Sequence, residues 1–463
     1  MPMATIAGPD AVQVQDVPLV NETNEKVTVM PNPANGHTVN GDDPGVEIPE
    51  SEPRHQAPTT NGVSSRSRTP VNNVNGTTKS YADAAATADH DDRRDAAPSR
   101  QSTLRSLNER HAEETEAAWR AGGIRFAPVQ VPLVRRMQTA AVLFHSMSIV
   151  LMVSAFWFTC ANPFAWPILI PYLIHLSVST AATNGTLAYR SEYLRSLPIW
   201  KLFAGYFPAT LHKTHDLPPN RKYILGYHPH GIISHGAWSA FATNALGFAD
   251  KFPGITNSLL TLDSNFRLPF YRDWLLLMGV RSVSKESIAN TLSKGGPNND
   301  GAGRAVTIVI GGARESLEAQ PGTLRLILRG RKGFVKMALR TGADLVPVLA
   351  FGENDLYDQL SPHTHPMVHR LQIFLLKVFK FTVPALHGRG VLNYDVGLMP
   401  YRRPVNVVVG RPIQVDRPRG SEQPTQEEID RLHELYVREV ERLWDTYKDQ
   451  FSPVRTSEMK IIS

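Results

Sequence analysis

Apolar positions along this 463-residue chain fall into three regimes. Over residues 1–100 they are sparse and follow no period. The stretch "NPANGHTVNGDDPGVEIPESEPRHQAPTTNGVSSRSRTP" is dense in Pro, Gly, Asn and Ser. It has too little apolar surface to offset chain entropy and predicts a disordered tail. Residues 101–136, opening with "LRSLNERHAEETEAAW" from Leu104, turn helix-forming and predict a charged, amphipathic lead-in helix.

The second regime is continuous. From Met137 to Tyr189 the chain has no Asp, Glu, Lys or Arg. A bilayer span takes about 20 mainly apolar residues. Thr139–Ala161 and Phe164–Thr183 therefore predict a transmembrane or re-entrant hairpin over 137–189, with Pro163 at its turn. Arg135 and Arg136 precede it, and Arg190, Arg195 and Lys201 follow it. Positive charge at both ends places both ends in the cytosol. Pro167 and Pro171 in the second arm favour a broken or re-entrant helix. Two buried core helices would give the same hydropathy, but soluble core helices are rarely this long without a charge.

The third regime, 190–455, alternates. "YILGY" (Tyr223–Tyr227), "AVTIVIGG" (Ala305–Gly312), "DLVPVLAFG" (Asp344–Gly352) and "VNVVVG" (Val405–Gly410) are short apolar runs suited to strands buried on both faces. "LPFYRDWLLLMG" (Leu268–Gly279) and "SKESIANTLSKGG" (Ser284–Gly296) predict helices between them, the latter capped by Ser284. The alternation predicts an α/β fold with a mainly parallel sheet flanked by helices. In such sheets ligands bind beyond the carboxyl ends of the strands. His369–Leu386, "HRLQIFLLKVFKFTVPAL", is apolar with interspersed Arg370, Lys377 and Lys380. It fits either a helix lying at a lipid interface or a core helix with snorkelling lysines.

Charge sharpens the picture. The chain carries +6 overall, but residues 1–100 hold 8 basic and 14 acidic side chains, a net −6, so residues 101–463 carry +12. The folded part favours anionic partners such as phosphate groups or acidic lipid. No nucleic-acid-binding motif accompanies the charge, which argues against that class. A single cysteine, Cys160, allows no intrachain disulfide.

The chemistry concentrates in "YHPHGIISH". His228, His230 and His235 follow a strand-like run, with Pro229 fixing one dihedral and Gly231 freeing another. From Arg221 to Gly247 there is no Asp, Glu or Cys, which argues against a metal centre. A rigid turn presenting an imidazole at a strand end suits a general base, because that side chain titrates near neutral pH. His230 or His228 is the candidate. The orienting acid must come from elsewhere, and Glu315, in a glycine-led loop past a second strand, is the best placed in sequence. Backbone N–H groups at Gly231 or at Gly311 and Gly312 are candidates for an oxyanion site. Arg331, Lys332, Lys336 and Arg340 form a basic cluster, the last three at helical spacing. They suit nucleotide phosphates, acidic headgroups or plain solvent.

"YFP" (Tyr206–Pro208), "YHPHG" (Tyr227–Gly231), "GGARESL" (Gly311–Leu317), Arg331–Asp355 and "VVVGRPI" (Val407–Ile413) occur in that order. The set resembles the type-two diacylglycerol acyltransferase family from about Ala127 to Ile413. The resemblance implies a membrane-anchored, glycerolipid-acyltransferase-like domain facing the cytosol from the endoplasmic reticulum, with access to lipid droplets. It implies acyl transfer from acyl-coenzyme A, as co-substrate, to diacylglycerol. No permanently bound cofactor and no metal are expected. The partners are the two substrates and membrane lipids, with homo-oligomers left open. The wider superfamily uses His-x4-Asp. Here Ile233 and His235 stand at the acidic position, so the sequence leaves the identity of the base open. A thiolate leaves a thioester without much acid help, and Cys160 sits in the hairpin, so direct transfer is expected. Monoacylglycerol or long-chain alcohol acylation shares these motifs, and a non-enzymatic droplet hairpin would share only the apolar run.

Overall fold

The computed structural model describes residues 119–463, except 122, 129, 297, 361–364, 380–384 and 418–421. The expected tail and residues 101–118 of the lead-in lie outside them. Of the expected lead-in helix, the described part begins instead as a two-stranded antiparallel hairpin, Trp119–Ala121 with Ile124–Phe126. Gly123 turns it with φ +80, a left-handed conformation that glycine tolerates. The Asp395 side chain accepts hydrogen bonds from the Arg125 backbone at 2.7 Å and from its guanidinium, which holds the hairpin to a distant loop.

Helix α1, Leu133–Cys160, and α2, Trp166–Val178, realise the charge-free run. Among the described residues α1 is the one helix long and apolar enough to cross a membrane, by length and composition. The two arms are unequal. Thr139, Ala141, Val142 and Ser148 of α1 are buried, because the first half of the helix packs on α3, Pro198–Tyr206. Arg402 donates to Gln138 Oε1 at 2.7 Å and to the Arg135 carbonyl at 2.7 Å, closing that contact. The second arm is shorter than the span expected over Phe164–Thr183. Thirteen residues make only about 20 Å of helix, with Pro167 at its start and Pro171 inside. The Tyr172 hydroxyl donates to Asp273 at 2.5 Å and ties α2 to helix α4, Tyr271–Leu277.

Seven strands form the central sheet. In chain order they are β1 (Thr210–Lys213), β2 (Tyr223–His228), β3 (Thr256–Thr261), β4 (Arg281–Ser282), β5 (Arg304–Val309), β6 (Asp344–Phe351) and β7 (Asn406–Val409). Their spatial order is β1-β7-β6-β2-β5-β3-β4. All neighbours are parallel except β6 and β7. Every residue of β2 and of β6 is buried, as continuous apolar runs require of central strands. Helix α5, Lys285–Thr291, starts where Ser284 caps it, its side chain accepting from Ser287 N–H at 3.2 Å. Helix α6, Gly312–Ser316, follows β5, and α7, Gly333–Thr341, precedes β6. Helix α8, Pro366–Phe379, exposes Met367, Leu371 and Phe374 along one face.

A long helix, α9 (Gln426–Phe451), lies across one face of the sheet. A Thr425–Glu428 capping box starts it, and Leu432, Tyr436, Val440 and Leu443 form its buried stripe. The domain continues past 455: Lys460–Ile462 pairs in parallel with Arg325–Ile327. Two apolar clusters, one on each face of the sheet, make the core.

Candidate active site

The central strand ends in the histidine turn, and its two neighbours each deliver a glutamate there. His228 is the last residue of β2. Tyr227 pairs with Val309 of β5 on one side, and His228 with Leu349 of β6 on the other. Glu315 on α6 follows β5, and Glu353 follows β6.

His228 is fully buried. Its Nε2 donates to the Tyr436 hydroxyl at 3.0 Å, and that hydroxyl donates to the Gly226 carbonyl at 3.0 Å. Burial pushes its imidazole down to about 3. It is a neutral packing group under α9. His230 is half-buried, and its Nδ1 lies 3.0 Å from the Gly231 carbonyl. A carbonyl only accepts, so Nδ1 carries the proton and Nε2 keeps its lone pair. Burial also lowers this imidazole. The Nε2 lone pair is thus oriented by a backbone carbonyl.

This corrects the expectation that Glu315 orients the imidazole. Glu315 Oε1 accepts from the His230 backbone N–H at 2.6 Å, and Oε2 accepts from Ile327 N–H at 2.7 Å. It clamps the main chain of the turn to the Arg325–Ile327 strand. Burial raises its carboxyl to about 7, against the pull of its two N–H donors and Arg331.

The sequence reading missed Glu353. Its Oε2 accepts from the Tyr227 hydroxyl at 2.7 Å and from Gly236 N–H at 2.8 Å. Burial raises it to about 7 as well. It forms the floor of the turn: a Cβ on Gly231, whose φ is +58, would stand 2.6 Å from Glu353 Cγ. Its one sequence signal was its place immediately after a predicted strand, next to Gly352.

The other expected residues divide. Arg331 donates to the Gly311 carbonyl at 3.2 Å and so reaches the site. Lys332 is engaged by Asp430 of α9 at 2.7 Å. Lys336 and Arg340 are exposed along α7. With roughly 1.5 Å of rise per residue, the helix carries them about 6 and 12 Å beyond Lys332, away from the strand ends. The basic cluster is therefore not one patch. Gly312, with φ +62, has open space where a Cβ would stand, while a Cβ on Gly311 would meet Glu315 at 2.1 Å. His235 is buried, with Nε2 3.1 Å from the Tyr357 hydroxyl. Among the described residues no group of three or more His, Cys, Asp or Glu is placed to hold a metal ion.

Residues 158–461 match the family model described as diacylglycerol acyltransferase. The chain is 48% identical over 341 residues to diacylglycerol O-acyltransferase 2A of Umbelopsis ramanniana, covering 73% of this chain and 94% of that protein. It is 43% identical to diacylglycerol O-acyltransferase 2B of the same organism, covering 73% and 96%. It is 42% identical to 2-acylglycerol O-acyltransferase 1 of Bos taurus, covering 71% and 96%. A solved 1-acyl-sn-glycerophosphate acyltransferase from Thermotoga maritima is 12% identical, with a TM-score of 0.30 over 64% of this chain and 97% of that one, too distant to bear on the fold. The histidine turn, its glutamate clamp and the Arg331–Asp355 block all lie within the matched residues, and the chain belongs to the diacylglycerol acyltransferase family.

Proposed function

We propose that this acyltransferase moves an acyl group from acyl-coenzyme A directly to the free hydroxyl of diacylglycerol, with His230 as general base. His230 Nε2 takes the hydroxyl proton as the oxygen attacks the thioester carbon. A tetrahedral intermediate forms, the C–S bond breaks, and the coenzyme A thiolate leaves with the proton from the imidazolium. The product is triacylglycerol and free coenzyme A. The observation that carries the reading is the Gly231 carbonyl against His230 Nδ1, which leaves Nε2 as the acceptor. Backbone N–H groups at Gly231 or Gly312 receive the oxyanion, and Arg331 lies nearest for the phosphates of coenzyme A. Labelled acyl-coenzyme A offered to purified protein with a panel of acceptors tests the reading. Label in a wax ester instead of triacylglycerol would overturn it. Transfer to monoacylglycerol is the second reading, and it rests on the 2-acylglycerol acyltransferase relative.

The location that fits is the endoplasmic reticulum membrane, with the catalytic domain in the cytosol. Beyond Ser148 α1 has no buried residue; that part measures about 18 Å and α2 about 20 Å, against a hydrocarbon core of about 30 Å. Both arms root in the same domain, so the pair enters from one side and returns. Such a hairpin also suits the single phospholipid layer of a lipid droplet. Tag accessibility in sealed microsomes checks this: a lumenal Ser463 would sink it.

A further inference from the structure

The seam between α1 and the catalytic core has an unusual chemistry. His145 projects from α1 into a set of rings. It lies 4.4 Å from Trp238, 4.9 Å from Phe203, 5.9 Å from His235 and 6.3 Å from Trp200, centroid to centroid. Trp200 in turn lies 5.7 Å from Trp238 and 6.0 Å from Trp274. The rings form one continuous wall. Polar atoms in it have no partner within the protein: Trp238 Nε1, Trp274 Nε1, His145 Nδ1 and His235 Nδ1, together with Ser146 Oγ. Trp238 is 7% exposed and His235 0%; His145, Ser146 and Trp274 are half-buried residues, but the named atoms themselves are shielded from solvent. Trp200 differs: its Nε1 donates to the Leu194 carbonyl at 2.7 Å.

A buried polar group without a partner is costly, and proteins rarely gather several in one place. Indole N–H groups donate and cannot accept. The ring wall contributes no carboxylate, lysine or arginine. What matches is an uncharged molecule rich in acceptors, with an apolar body. The seam also stands where lipid can reach it: the exposed residues Ile149, Val150 and Leu151 continue α1 immediately beyond His145 and Ser146. On its inner side it joins the histidine turn. His235 belongs to that turn, and Ser234 Oγ donates to the His230 carbonyl at 2.7 Å.

We propose that this seam is the acceptor-binding site, in which Trp238 and Trp274 donate to the ester carbonyls of a neutral glyceride while its free hydroxyl reaches His230. The acyl chains lie along the exposed face of α1. The inference rests on the reading of diacylglycerol as acceptor and adds the residues that recognise it. It makes ester carbonyls, and not chain length alone, a determinant of the acceptor.

The test compares dioleoylglycerol with its diether analogue, which has the same shape and hydroxyl but ether oxygens in place of the ester groups. Binding of each radiolabelled lipid to nanodisc-embedded protein is measured without acyl-coenzyme A, and transfer is measured separately. Two lost neutral hydrogen bonds predict that the wild type binds the diester about 10- to 25-fold more tightly. Trp238→Phe and Trp274→Phe keep a ring in place and should each reduce that preference about fivefold. Trp444→Phe, on α9 away from the seam, where the indole donates to Glu458, should leave the preference unchanged. Equal binding of the two lipids by the wild type overturns the proposal and needs no variant. So does a preference that survives in folded Trp238→Phe and Trp274→Phe proteins. Ester-selective binding without any transfer would instead sink the activity reading and leave the site standing.

Discussion

The two flanks of β2 do the same job by different means. On the β5 side, Glu315 uses one oxygen for the His230 N–H and the other for Ile327 N–H. On the β6 side, Glu353 takes both the Tyr227 hydroxyl and Gly236 N–H on a single oxygen. Both carboxyls are buried, and both are raised to about 7 by that burial. The Glu315 clamp grips the turn from its start and has Arg331 nearby. The Glu353 floor supports it from below and lies against Gly231. The histidine turn at the end of one strand is thus held by carboxylates from the strands beside it.

The imidazole at the centre gives the sharpest break. General-base catalysis contributes about 10²- to 10⁴-fold, so His230→Ala should lower kcat by that range. His228→Ala should act through stability, lowering the midpoint of thermal unfolding more than kcat per folded molecule. Thin-layer product assays beside unfolding curves separate the two, and the reverse pattern would exchange the roles of these histidines.

The glycines against each glutamate come next. Gly231→Ala places a methyl against Glu353 at a left-handed φ, and Gly311→Ala places one against Glu315. The left-handed φ at Gly231 adds backbone strain of about 1–3 kcal/mol, whereas Gly311 has an ordinary φ of −61 and meets only the clash. Turnover should fall about tenfold or more for Gly231→Ala. The Gly311→Ala loss should be partly recovered in the Gly311→Ala, Glu315→Ala pair, measured as residual kcat.

Amide substitution compares the carboxylates directly. Glutamine has one acceptor oxygen. Glu315→Gln must lose one of its N–H partners, whereas Glu353→Gln can keep both on its remaining oxygen. The expected losses in kcat are about tenfold and under threefold. Equal losses would mean that the two flanks are interchangeable.

A smaller effect separates the basic residues. Arg331→Ala should raise KM for acyl-coenzyme A by about 3- to 10-fold, on the scale of one charge-assisted hydrogen bond. Lys336→Ala and Arg340→Ala, on the helix running away from the site, should change it less than twofold.

The gentlest probe is pH. The folded Glu315 carboxyl titrates at about 7, above an unfolded value near 4.3. A raised carboxyl contributes stability below its unfolded pKa and loses it as pH rises through the folded value. The thermal midpoint of the wild type relative to Glu315→Gln should therefore drift downward between about pH 5 and 8. The difference cancels the opposite contribution of His228, whose depressed imidazole loses stability as pH falls from about 6.5 toward 3. An upward drift would contradict a raised Glu315.

How much of this was legible in sequence follows from what is local. β2, β5, β6 and β7 are short apolar runs, and the histidine turn follows one of them. β3, "TNSLLT", mixes polar residues into a strand, and β1 is an edge with alternating exposure, so neither stood out. Glu353 hid because a carboxylate after a strand looks solvated until the neighbouring strand places it under Gly231. Tyr436, the partner of His228, is 208 residues away and only packing reveals it. The fourfold spacing of Lys332, Lys336 and Arg340 was real, but spacing does not tell which way the helix points. The long apolar run was also real. What it could not show is that half of α1 is spent on packing against α3.

The strand Lys460–Ile462 has a practical side. It braces Arg325–Ile327, and Leu328 N–H donates to the Ile462 carbonyl at 3.1 Å. Ile327 is the residue whose N–H anchors Glu315. The strand Lys460–Ile462 is therefore three hydrogen bonds away from the histidine turn: its pairing with Arg325–Ile327, then Ile327 N–H to Glu315, then His230 N–H to Glu315. An affinity tag or fluorescent reporter fused directly after Ser463 pulls on that brace. Its signature in an assay would be weakened turnover in a protein that still inserts and folds, easily mistaken for poor expression or a failed preparation.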